Sequence, residues 1–100
     1  MKTTKEFYND IRAKYELKSN YSVAKIMGCP ESTASRWRDG KNVFDEKYSL
    51  IVAELLDLNP AYVLACTSAE HAKDSEAKTS WLNIVGMLEQ AKKSLSTQAA

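Results

Sequence analysis

The chain has 100 residues, 44% of them hydrophobic and 27% charged, which is the balance of one small globular domain, with or without an appendage, rather than of a disordered segment. Its 14 basic and 13 acidic groups leave a formal charge of +1. This excludes a histone-like basic tail and an acidic solvating protein, but nucleic-acid binding needs only a local patch and stays open.

Apolar residues recur at helical spacing and nothing alternates at strand period, so an all-α fold is expected. The first helix is expected over Thr4 to Leu17, with Thr4 as N-cap and Phe7, Ile11 and Tyr15 on one stripe. Ser19 caps a short second helix carrying Val23, Ala24, Ile26 and Met27, and Gly28 ends it. Cys29-Pro30 breaks the chain, since proline disfavours helix in the residue before it. A third helix follows over Glu31 to Arg38 and ends at Gly40.

Asp45 caps a fourth helix with Tyr48, Ile51, Val52, Leu55 and Leu56. Asn59-Pro60 is a cap followed by proline at the first helical position, and starts a fifth helix reaching the Ala72 region. Lys73 to Ser80 lacks large apolar residues and reads as a break with a cap at Asp74. The last helix, about Ser75 to Leu95, carries Trp81, Ile84, Val85, Leu88, Ala91 and Leu95 on one stripe.

No catalytic constellation is visible, and no enzyme activity is expected. The only cysteines, Cys29 and Cys66, and the single histidine, His71, have no metal-ligand spacing. Three scattered glycines make no phosphate-cradling loop, so no cofactor is expected. With no apolar run near the roughly 18–20 residues of a membrane span, and no signal-peptide core at the N-terminus, the cytoplasm is the expected location.

The informative stretch is Ser19 to Gly40, S-N-Y-S-V-A-K-I-M-G-C-P-E-S-T-A-S-R-W-R-D-G. Two short helices meet through a glycine-containing turn, with small Ala24 available where they cross. Val23, Ile26, Met27, Ala34 and Trp37 supply buried faces. The third helix is left to expose Glu31, Ser32, Thr33, Ser35, Arg36 and Arg38, which are hydroxyls and charges suited to base edges and phosphates. Residues 1–42 hold nine basic and five acidic groups, a surplus of four.

At this point the sequence resembles the Cro/cI (XRE-type) phage repressor family. The likeness rests on V-A-K-I-M-G, on S-T-A-S-R-W-R-D-G and on S-L-I-V-A-E-L-L-D-L-N-P-A-Y-V-L, and covers about residues 4–66. It implies a five-helix lambda-repressor-like helix-turn-helix domain (residues 1–67) whose third helix lies in the DNA major groove. It further implies base reading by Glu31, Ser32 and Arg36, flanked by Thr33 and Ser35. Asn20 falls where the family has a phosphate-contacting residue, and Lys41 and Asn42 match positions that touch backbone phosphate. By its own chemistry Arg38 is either a phosphate contact or a solvated charge. The chain departs from the pattern at Pro30, where the family has a capping hydroxyl, at Ala34, where it has a branched aliphatic residue, and at Glu31, which replaces Gln or Ser.

Residues 68–100 form a C-terminal helical extension. A lone amphipathic helix cannot stand in water, so the stripe Trp81, Ile84, Val85, Leu88 and Leu95 is expected to dimerise the chain, the alternative being that it folds back on the first and fifth helices, and removal of everything after Asp74 is expected to leave a folded monomer. The expected function is that of a phage or prophage repressor, a homodimer on a pseudo-palindromic double-stranded operator. The alternative is an antitoxin that clasps a toxin through its last helix and autoregulates its operon.

Overall fold

A computed structural model describes the backbone of residues 1–99 and the side chains of residues 1–91. Its elements are all helices: α1 (Thr4–Lys14), α2 (Asn20–Met27), α3 (Glu31–Arg38), α4 (Glu46–Leu55), α5 (Pro60–His71) and α6 (Ser75–Ala99). No strand occurs among the described residues, and none of their helices is long and apolar enough to cross a membrane.

Side-chain oxygens start most of these helices. Ser19, Asp45 and Asn59 each accept a backbone N–H of the turn they precede, and Asp74 accepts those of Glu76 and Ala77. The cap of α1 is Thr3 rather than the expected Thr4. Thr3 accepts from the Glu6 N–H, and the Glu6 carboxylate accepts from the Thr3 N–H, a capping box. That leaves Thr4 free to turn inward, where it is buried.

Helix ends follow one backbone device. Gly28 adopts φ 71°, and the Cys29 N–H reaches the Ala24 carbonyl at 3.0 Å. Gly40 does the same at φ 72°, with Lys41 N–H on the Arg36 carbonyl at 2.8 Å. Glu16 and Asp57 occupy the same left-handed region at φ 53° and 54°, closing α1 and α4 through Leu17 N–H to Arg12 and Leu58 N–H to Ala53. The first helix therefore stops at Lys14, short of the expected Leu17.

The core gathers Phe7, Ile11, Val23, Met27, Trp37, Phe44, Val52 and Val63. α5 is its spine. Val63, Ala65, Cys66, Thr67 and Ala69 point in different directions around the helix and are all buried, because α4 lies on one side and α6 on another. The hydroxyls of Ser49 and Thr67, both buried, meet at 2.9 Å between α4 and α5. Glu70, near the end of α5, accepts from the Thr4 N–H at 2.6 Å and the Thr4 hydroxyl at 2.8 Å. The Thr4 oxygen accepts the Phe44 N–H, and His71 Nε2 donates to the Phe44 carbonyl. One polar clasp thus joins the start of α1, the loop before α4 and the end of α5.

The extension after Asp74 is not detached. Val85 is 1% exposed and belongs to the same core as Phe7 and Val63, and Leu88 packs against that core. Expected first as seam residues of a dimer, these two follow the alternative and cover α5 within one chain. Val85→Ala should therefore lower stability by roughly 1–3 kcal/mol. Truncation after Asp74 should give a chain with a much lower melting temperature or none, read by circular dichroism; an unchanged melting temperature would mean that α6 contributes nothing to the core.

Candidate nucleic-acid interface

The orientation of α3 is set from inside. Ala34 is fully buried and Trp37 is 2% exposed. The Trp37 ring lies 4.7 Å from that of Phe44 and 4.9 Å from that of Tyr48, tilted and edge-on, the geometries that aromatic quadrupoles favour. Trp37 is a core anchor, with no face left for stacking on a base. At about 100° per residue, Ser32 and Arg36 lie opposite this anchor. Both are exposed, and neither side chain has a hydrogen-bonding partner among the described residues. Arg36 and Ser32, one turn apart, make the outermost ridge of the helix.

The rest of the expected set surrounds that ridge. Glu31 is exposed in the first turn, where its carboxylate favours the positive end of the helix. Pro30 stands at the N-cap with no side-chain hydrogen bond to offer, so the first N–H groups of α3 stay open to water or an anion. Thr33 and Ser35 are half-buried on the flanks. Lys41 and Asn42 are exposed in the loop after α3, held close to it by their backbone N–H groups on the Arg36 carbonyl.

Two members of the set are engaged within the chain. Arg38 lies against Asp39, with Nε 3.0 Å from Oδ1. The hydrogen bond from Arg38 holds the Asp39 carboxyl below its usual range, and Asp39 in turn raises the Arg38 guanidinium. Asn20, expected to face phosphate, donates both amide protons inside the protein, to the Glu31 carbonyl at 3.0 Å and to Ser35 Oγ at 2.7 Å. Its carbonyl accepts from the buried Tyr8 hydroxyl at 2.8 Å. A phosphate needs a donor, and the Asn20 side chain has none left to give. At this end of α2 it is the backbone N–H groups of the first turn that have no helical partner. The link to Tyr8 carries no sequence signal, because it joins residues twelve apart on different helices.

A second surface lies on α6. Trp81, Leu82, Ile84 and Met87 are exposed, Met87 to 71%. Trp81 and Ile84 belong to the expected stripe, whereas Met87 does not; it falls on the same side as Ile84, turned away from Val85. Leu95 lies outside the residues whose side chains are described. Burial raises both thiols, Cys29 and Cys66, above their ordinary pKa, so neither is poised as a thiolate at neutral pH.

No protein-family model, curated protein or solved structure matches the chain. The charge arrangement around α3 has a direct consequence. Asp39→Asn removes the carboxylate that occupies Arg38 and frees one guanidinium at the end of α3. The variant should elute from heparin at higher salt than the natural chain; identical elution would show that the pair already opens freely in solution.

Proposed function

We propose that the chain is a sequence-specific double-stranded DNA-binding regulator of the phage-repressor type, reading its operator through α3 in a helix-turn-helix formed with α2. The observation that carries this reading is the Ser32–Arg36 ridge: a hydroxyl and a guanidinium, unpaired among the described residues, on the outer side of a helix whose inner side is locked by Ala34 and Trp37. A short helix with a polar outer face and no exposed aliphatic side chain fits the major groove better than a protein surface. Arg36 matches guanine O6 and N7 bidentately, and Ser32 bonds to base edges as donor or acceptor. Glu31 accepts from cytosine amino groups and repels phosphate. Thr33 and Ser35 serve at the flanks, and Lys41, Asn42, Arg38 and the N-terminal turn of α2 meet the backbone.

A base-reading contact and a phosphate contact fail differently. With an operator obtained by selection from randomised duplexes, Arg36→Ala should cost roughly 1–3 kcal/mol on the selected site and relax preference at one base pair. Lys41→Ala should weaken all duplexes alike and flatten the salt dependence by about one unit. Equal weakening of selected and random DNA by Arg36→Ala would make Arg36 a phosphate contact.

Two copies on one operator are part of the proposal. One recognition helix covers few base pairs, and two half-sites about a helical turn apart supply affinity when the subunits are joined. The exposed Trp81, Ile84 and Met87 of α6 support this joining, in place of the buried Val85 and the core-packed Leu88. The same face supports the second reading, an antitoxin that holds a toxin through α6. Met87→Glu sets a carboxylate in that apolar seam. It should give a monomer in sedimentation and bind the operator at least about tenfold more weakly, a loss of about 1.4 kcal/mol. A natural chain that sediments as a monomer and copurifies with a neighbouring gene product would favour the antitoxin.

A further inference from the structure

One amide ties three helices together. Tyr8 on α1, 1% exposed, donates its hydroxyl proton to Asn20 Oδ1. Asn20, opening α2, donates to the Glu31 carbonyl and to Ser35 Oγ, one turn apart on α3. The polarity of the amide is dictated by its neighbours. The Glu31 carbonyl has no proton, so only the NH2 end of Asn20 can face α3, and the Tyr8 hydroxyl then turns to serve the oxygen end.

This wiring decides what Ser35 can do. A serine in a helix ordinarily returns its proton to the carbonyl four residues back, which here belongs to Glu31. That carbonyl already accepts from Asn20 and, by α-helical geometry, from the Ser35 backbone N–H, so both of its lone pairs are taken. The Ser35 oxygen itself receives a proton from Asn20. What remains is the Ser35 O–H, a donor with no acceptor among the described residues, on the flank of the Ser32–Arg36 ridge.

We infer that Asn20 is a positioning residue of the reading helix: it touches no DNA with its side chain, holds the first turn of α3 to α1 through Tyr8, and sets the Ser35 hydroxyl as a donor to an oxygen of the DNA backbone at the operator. This rests on the proposed reading of DNA by α3. It separates Asn20 from the phosphate role that the family resemblance implies, and makes Tyr8, remote from the surface, part of the recognition apparatus.

The test is a double-mutant cycle on the full chain with the selected duplex and a random duplex, in parallel with thermal melting. Asn20→Ala and Ser35→Ala should each weaken the selected duplex roughly five- to tenfold, and the double variant no more than either alone, because both remove one arrangement. Random-duplex affinity should fall by a similar factor, since a contact to the DNA backbone is shared by every duplex. Tyr8→Phe keeps both bonds to α3, and should lose less than Asn20→Ala and couple to Ser35→Ala in the same direction. If Asn20→Ala does not fold, the Tyr8→Phe and Ser35→Ala cycle decides the same point. Losses that multiply in the double variant would overturn the inference and restore Asn20 as a direct contact, and a loss confined to the selected duplex would overturn the backbone assignment of the Ser35 hydroxyl and make it a base contact. A natural chain that selects no sequence at all would overturn the DNA reading itself, and the inference with it.

Discussion

The packing of Trp37 between Phe44 and Tyr48 is the contact on which the exposed face of α3 depends. It fixes the rotation of α3 about its own axis, because a side chain of that size, almost fully buried, leaves the helix no second angle at which to sit. Ala34 works with it, since its small side chain lets α3 lie close to its neighbours. Every exposed group on α3 then has a defined bearing. Ser32 and Arg36 face out, Glu31 and Arg38 lean to one side, and Ser35 sits at the edge where Asn20 reaches it. A recognition surface made of flexible side chains becomes directional only when the helix beneath it is rigid.

Rigidity is carried further by α5. A helix buried on most of its circumference connects α4 to α6 and, through Glu70, reaches the N-terminus of α1. The Thr4 hydroxyl both donates to Glu70 and accepts from Phe44, so the loop that places Phe44 beside Trp37 is tied to the same polar clasp. The buried hydroxyls and amides are satisfied among the described residues, which matters because an unpaired polar group in such a small core would cost as much as a good hydrophobic contact contributes. The aromatic anchor of α3 and the capping of α1 are therefore parts of one structure.

Charge is distributed with restraint. The chain carries a formal charge of +1, Glu31 stands on α3, and Asp39 occupies Arg38. For the proposed function this arrangement sacrifices indiscriminate attraction to polyanions and leaves discrimination to the shape and hydrogen bonding of α3, with affinity recovered by pairing two copies.

Helix content, the caps at Ser19, Asp45, Asn59 and Asp74, and the glycine stops at Gly28 and Gly40 are legible in the sequence, because each depends on residues within one or two turns. So is the burial of Ala34 and Trp37, which follows from helical periodicity once α3 is placed. Local rules fail where the decisive residue has an unremarkable side chain. Glu16 ends α1 in a left-handed turn that glycine ordinarily occupies, so nothing local marks the stop. Thr3 and Thr4 look interchangeable as caps until Glu6, three residues beyond Thr3, distinguishes them. Only the tertiary structure decided that Val85 closes the chain's own core while Ile84 and Met87 remain outside, since a stripe of apolar residues does not say whose surface it will cover. It alone decided that Asn20 spends its protons on α3, because that bond joins segments that the sequence keeps apart and that meet only when three helices have packed.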